Sequence, residues 1–149
     1  MSRFLRVLLV ATLLFSGLSL TDARAQNRMS DKDVEATMKN LTEDAKSFRS
    51  AFDSSVGKST IRKTSREKDA KAQVKSFEDQ TQTLLNQFKN SKQANDYLPS
   101  VMDTAGQIDM LLRDVQLDSS TTMRWSKVRA DLDQLAAAHG LASSSGSLR

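Results

Sequence analysis

Apolar or near-apolar side chains recur between residues 121 and 139 at steps of four, three, four, three and four positions. The members of this stripe are Thr121, Trp125, Val128, Leu132, Leu135 and His139. This spacing places them on one face of an α-helix, and that face has to be buried against other elements. Gly140 follows directly, as expected where a left-handed residue ends a helix, and Leu141 can fold back onto the last turn. The stripe therefore predicts one wall of a larger helical core, with Trp125 buried in it.

Three earlier segments carry the same helical spacing. We predict α-helices over residues 31–56, 65–90, 97–116 and 119–139. Ser30, Thr64 and Asp118 are side chains of the kind that cap helix N-termini, and each precedes one of these segments. Pro99 falls in the first turn of the third helix, where its missing N–H is tolerated. Strand signals are absent from the sequence.

Short connections between helices force neighbouring helices to run antiparallel. The predicted fold class is therefore all-α, an antiparallel up-down-up-down four-helix bundle over residues 26–141. A hairpin dimer or a longer bent helix is the alternative arrangement. Tyr97 and Met123 are expected to add apolar surface at the two ends of the bundle, and Gly106 to mark a close helix crossing.

The N-terminus has the three parts of a secretory signal peptide. Arg3 and Arg6 give a positive start, residues 7–15 are apolar, and residues 23–25 (Ala-Arg-Ala) match a small-x-small cleavage site. The apolar run is shorter than the roughly 20 residues that a membrane-spanning helix needs. We therefore expect export to the periplasm or the exterior with cleavage before Gln26, and an uncleaved membrane anchor is the alternative.

In this scheme residues 1–25 are a signal peptide, residues 26–141 form the bundle, and residues 142–149 are a disordered tail of small polar residues. Removal of the signal takes three arginines and one aspartate away, which lowers the formal net charge from +4 to +2. A nucleic-acid-binding domain normally carries a larger and more focused basic excess, so no nucleic-acid partner is expected.

The residues that most enzymes use for catalysis are scarce in this chain. His139 is the only histidine, and there is no cysteine, which excludes thiol catalysis, thiolate metal sites and covalently attached haem. The diiron bundle motif needs Glu-x-x-His, whereas position 136 is Ala, and no glycine-rich phosphate loop occurs. Most carboxylates lie off the stripes beside lysines and arginines. We predict a protein without catalytic residues, metal or cofactor.

One alternative function uses His139 with Met38. In the predicted bundle the end of the fourth helix lies beside the start of the first, which brings these two side chains to the same end. That architecture and ligand pair resemble the soluble periplasmic b-type cytochromes, whose four-helix bundles hold haem between an axial histidine and an axial methionine. The resemblance implies a haem-binding electron carrier. Met38 also fits an ordinary core position on the first stripe.

A second alternative concerns a basic run within residues 58–75. Its cations are Lys58, Arg62, Lys63, Arg66, Lys68, Lys71 and Lys75, opposed only by Glu67 and Asp69. Such a segment can bind anionic envelope polymers or the head groups of lipids at a membrane surface. It lacks large apolar anchors, so peripheral contact is expected rather than insertion. A solvated helix face is the ordinary explanation of the same pattern.

Parts of three helices resemble small exported bacterial helical-bundle proteins of unassigned function. The similar stretches are residues 125–136 (WSKVRADLDQLA) closing on Gly140 and Leu141, residues 48–53 (FRSAFD) and residues 77–78 (FE). The resemblance implies an exported helical unit and no ligand or catalytic residues. The expected function is a structural or interaction role in the cell envelope, with an envelope protein or polymer as partner.

Overall fold

Four α-helices account for most of the chain in a computed structural model that describes residues 29–92, 94 and 96–141. They are α1 (Asp31–Val56), α2 (Ser65–Ser91), α3 (Leu98–Asp114) and α4 (Ser119–Ala138). These ranges contain no strand, so the all-α class and the four helices predicted from the sequence are confirmed. The expected signal peptide and tail lie outside the described residues and stay predictions.

Helix α3 is shorter than the expected span of residues 97–116. It begins at Leu98, directly after the N-cap residue Tyr97. It ends at Asp114, because Val115 adopts an extended backbone (φ −113°, ψ 115°). Val115 is still buried, so the apolar stripe continues one residue beyond the helix itself. A buried stripe therefore does not by itself fix where a helix ends.

Side-chain caps begin three of the four helices. Ser30, Thr64 and Asp118 each accept a hydrogen bond from the backbone N–H three residues further on, at 3.2, 3.3 and 2.8 Å. These bonds satisfy donors that have no partner inside the helix. Tyr97, at the start of α3, makes no such bond.

The end of α4 forms a Schellman motif around Gly140. This glycine has a φ of 68°, and its N–H donates to the carbonyl of Ala137 at 3.2 Å. The N–H of Leu141 donates to the carbonyl of Ala136 at 2.8 Å, and Leu141 contacts the core. The left-handed stop and the apolar fold-back predicted from the sequence are both present.

The helices contact one another in a pattern that is compatible with a bundle. Helix α1 packs against both α2 and α4, α2 packs against α3, and α3 meets α4 over a smaller area. Across α1 and α2, the Arg49 guanidinium lies 2.6 Å from the Glu78 carboxylate, and Lys92 lies 3.4 Å from Glu35. None of the four helices has a stretch both long and apolar enough to cross a membrane.

The core is built from the predicted stripes. Its largest fully buried side chains are those of Phe48, Phe52, Phe77, Phe88, Met38, Leu41, Leu84, Leu98, Ile108, Leu132, Leu135 and Val56. Trp125 is 5% exposed and lies against Phe48 and Phe77, with ring centroids 4.8 and 5.4 Å away. Its indole Nε1–H donates to Asp109 Oδ1 at 2.6 Å, which links α4 to α3. Tyr97 and Met123 were expected in the apolar ends and are instead exposed, at 41% and 67%.

Gly106 does not mark a close helix crossing, contrary to the sequence-based expectation. A Cβ atom built at this position meets nothing within 4 Å, so the glycine has no packing role in α3. Gly106→Ala is expected to raise the free energy of unfolding by about 0.5–1 kcal/mol, because glycine loses more backbone entropy in a helix. Urea denaturation measures this gain. Gly140→Ala is the matched control and is expected to destabilise, since its φ of 68° is strained for alanine.

Candidate functional site

The basic run divides between the α1–α2 loop and the first half of α2. Lys58, Arg62 and Lys63 lie in the loop, and the other four cations lie on the helix. All except the half-buried Lys71 are exposed. The sequence-predicted residues are therefore present at one end and along one edge of the helical unit, where a partner can reach them.

Three of the seven cations are engaged inside the protein. The Arg66 guanidinium lies 2.6 Å from Asp114 at the end of α3, and no sequence pattern indicates this pair. Lys71 lies 2.7 Å from Glu67, and Lys75 lies 2.6 Å from Asp79. The hydrogen bond from Lys71 is also the main cause that lowers the pKa of Glu67. These three side chains are less available to a partner than the sequence suggests.

The remaining four cations form what we call the cationic surface: Lys58, Arg62, Lys63 and Lys68. Within the described part of the chain none of them makes an ion pair. Glu67, which precedes Lys68, already accepts hydrogen bonds from Lys71 and from the backbone N–H of Lys63 at 2.5 Å, and the charge of Arg62 also acts on it. The cationic surface is thus the part of the basic run that makes no ion pair.

The loop that carries this surface is held in one conformation. Thr64 Oγ1 donates to the carbonyl of Ile61 at 2.5 Å, and Ser59 Oγ donates to that of Val56 at 2.8 Å. Ile61 is only 8% exposed and anchors the loop to the core. Lys63 has a φ of 61°, a conformation that favours glycine, and the Glu67 carboxylate secures its N–H. The charges are therefore presented from a fixed backbone.

His139 and Met38, the alternative haem ligands, have different environments. Met38 has no exposed surface and is part of the apolar core. His139 is the C-cap residue of α4; it is half-buried, its Nε2 is buried without a hydrogen-bond partner, and burial lowers its pKa. Neither residue lines the clefts found between α1 and α4, between α2 and α3, or at the start of α2. The complete burial of Met38 fits an ordinary core methionine, and the haem-binding alternative stays a prediction.

Acidic side chains of the described residues are potential metal ligands and titrating groups. No group of three or more histidine, cysteine, aspartate or glutamate side chains there is arranged to hold a metal ion. One carboxylate is unusual: Asp131 on α4 is half-buried, and its Oδ2 has no hydrogen-bond partner. Burial, and to a lesser extent the charge of Asp44, raises the pKa of Asp131 to about 6.

Sequence reasoning missed a cleft between α2 and the start of α3. It has a volume of about 180 Å³ and is lined by Ser76, Asp79, Gln80, Thr83, Tyr97, Ser100 and Val101. We call it the Tyr97 cleft. The only sequence signal for it is that a tyrosine, rather than a capping residue, precedes Leu98 and Pro99.

Comparison of the chain with protein-family models, with curated proteins and with solved structures gives no significant match. The cationic surface and the Tyr97 cleft are therefore the features from which a function can be inferred.

Proposed function

We propose that this protein is exported and acts in the cell envelope as a non-enzymatic helical bundle that binds another macromolecule. Support for export comes from the signal-peptide pattern of residues 1–25. Support for a binding role comes from a core of apolar side chains and from the exposed cations of the α1–α2 loop and the start of α2. The similarity to small exported helical proteins leads us to expect the same kind of exported helical unit here.

The proposal includes an up-down-up-down course for the four helices. Contacts between α1 and α4 support it: Lys127 lies 3.6 Å from Asp44, whereas the N–H of Asp118 donates to Ser55 Oγ at 3.2 Å. The residue numbers of these pairs run in opposite orders along the two helices. The pairs between α1 and α2 and between α2 and α3 behave in the same way. A bundle of this kind places the α1–α2 loop at one end, open to a partner.

The observation that carries the binding role is that the four cations of the cationic surface make no ion pair within the described residues. They lie on an ordered loop and the start of α2, exposed to a partner. The apolar loop residue Ile61 is buried, so the surface offers no side chain for insertion into a bilayer. A polymer that carries repeated phosphate or carboxylate groups fits these features, and each contact contributes up to about 1 kcal/mol.

Neutralising the cationic surface tests this proposal. We expect the variant with Lys58, Arg62, Lys63 and Lys68 changed to glutamine to bind poly(glycerol phosphate) at least about tenfold more weakly than the parent at low salt. Binding by the parent should itself fall steeply between about 50 and 300 mM salt, because the interaction is screened. Isothermal titration calorimetry measures both effects.

A second variant with the same change in net charge is the matched control. Lys32, Lys46, Lys89 and Arg113 are exposed cations outside the basic run, and their replacement by glutamine is expected to weaken binding less than threefold. Equal losses in the two variants would mean that net charge, and not this surface, attracts the polymer. Tight binding to phosphatidylglycerol vesicles without binding to the polymer would also contradict the proposal.

A further inference from the structure

The Tyr97 cleft has an aromatic wall and polar edges. Tyr97 and Val101 of the α3 side supply apolar surface, while Asp79, Gln80 and Ser100 place polar groups around it. Its volume of about 180 Å³ is below the roughly 300–1,000 Å³ of sites for drug-sized ligands. The cleft therefore has room for a single ring rather than for a larger molecule.

Tyr97 lies at the start of α3 with part of its side chain in solvent. Tyr97 occupies the N-cap of α3 without making a capping bond, and 41% of its surface is exposed. Its backbone is right-handed helical (φ −105°, ψ −31°), whereas the N-cap residues of the other three helices are extended and make side-chain caps. The exposed part of the Tyr97 side chain lies at the cleft, where a ligand can contact it.

Gln80 contributes an acceptor that the protein leaves unused. Its Oε1 is buried and has no hydrogen-bond partner. An unsatisfied acceptor of this kind is costly, and it gains free energy when an O–H or N–H donor reaches it. The terminal amide turns about a broad torsion, so the oxygen can be presented to a donor held in the cleft.

The charge of the cleft is balanced. Asp79 is its only ionisable carboxylate, and Lys75 lies 2.6 Å from it. Thr83 donates its hydroxyl hydrogen to the carbonyl of Asp79 at 2.9 Å, which leaves the oxygen as an acceptor. An ammonium ligand would have to compete with Lys75, whereas a neutral ligand bearing hydroxyl groups would not.

We infer that the Tyr97 cleft binds one ring of an uncharged sugar. The C–H face of the ring lies on the Tyr97 side chain, and its hydroxyl groups donate to Gln80 and Asp79. This site is separate from the cationic surface and goes beyond the proposed function, because its ligand carries no charge.

The uncharged tetrasaccharide of N-acetylglucosamine is the first probe, with cellotetraose and maltotetraose beside it. Titration followed by ¹H–¹⁵N NMR is expected to give a Kd of about 1 mM for at least one of the three, with shifts centred on α2 and the start of α3. Because the ligand is neutral, the Kd should be unchanged between about 50 and 300 mM salt. That behaviour distinguishes this site from the polymer-binding surface.

Two variants separate binding from folding. Tyr97→Ser changes a partly exposed side chain outside the buried core, and Gln80→Leu removes an unsatisfied acceptor, so both variants are expected to keep the cooperative urea denaturation of the parent. Each should weaken sugar binding about tenfold or more, while Tyr97→Phe should retain it. The inference is overturned if none of the three sugars shifts these resonances at 20 mM, if the two variants bind as the parent does, or if spermidine binds in the cleft in their place.

Discussion

Replacement of Trp125 by alanine is expected to lower the free energy of unfolding by about 3–5 kcal/mol, the range for a buried tryptophan. The indole ring is 5% exposed and fills the space between Phe48 on α1 and Phe77 on α2. Its loss opens a cavity where three helices meet, and it also removes the hydrogen bond to Asp109 on α3. Urea denaturation followed by far-ultraviolet circular dichroism measures the loss, because this readout does not need the tryptophan.

Two milder variants divide that effect between packing and hydrogen bonding. Trp125→Phe keeps an aromatic ring against Phe48 and Phe77 but cannot donate to Asp109, and we expect a loss of about 1–2 kcal/mol. Asp109→Ala keeps the indole and removes its acceptor, with a similar small loss. A cost below about 1 kcal/mol for Trp125→Ala would show that the ring is not a core element and would point to a partner surface instead.

The helical core was predictable because apolar periodicity reports directly on burial. Thr121, Trp125, Val128, Leu132 and Leu135 were placed on one face by their spacing alone, and all five are buried. His139, the sixth member of that stripe, is only half-buried because the helix ends at Ala138. Periodicity says which side of a helix faces inward, but the backbone geometry at the cap decides whether the last position still belongs to that side.

Glycine and end-of-bundle positions were less predictable. Gly106 lies in the interior of α3, and no atom of a neighbouring element occupies the space that a Cβ atom would take. The glycine therefore does not indicate a close helix contact. Met123 is near the start of a stripe and is nevertheless 67% exposed. Whether an apolar residue at a helix end faces inward or outward depends on the local path of the chain. The spacing of apolar residues does not reveal that path.

The candidate binding surfaces depended on contacts between distant residues. Arg66 pairs with Asp114, 48 positions away, so its charge was counted as free in the sequence. The Tyr97 cleft joins the second half of α2 to the start of α3, and its Gln80 has no distinguishing sequence pattern. Charge density along the chain identified the basic run, but only the packing of α2 against α3 separates the paired cations from the cationic surface.

Asp131 shows the same dependence on packing. The sequence placed it on a solvated face, whereas the structure half-buries it near Asp44. Burial first, and the charge of Asp44 second, raise its pKa from 3.8 to about 6, while Lys127 opposes the shift. Because the folded protein holds this proton more tightly than the unfolded chain does, the contribution of Asp131 to stability is fully present below about pH 4 and is lost as the pH rises through about 6.

Asp131→Asn is therefore expected to stabilise the protein at pH 7.5, by about 1–2 kcal/mol after allowance for solvent screening of a half-exposed group. The advantage over the parent should shrink as the pH falls and approach zero below about pH 3, where the aspartate is protonated in both the folded and the unfolded state. Urea denaturation of both proteins across this range measures the difference directly.

The comparison of the two proteins cancels the opposite effect of His139, whose lowered pKa removes stability on acidification below about pH 6.5. Asp103→Asn, an exposed charge change on α3, should give a difference below about 0.5 kcal/mol at every pH. A constant advantage for Asp131→Asn, or a loss of stability at pH 7.5, would contradict this account of the α1–α4 interface.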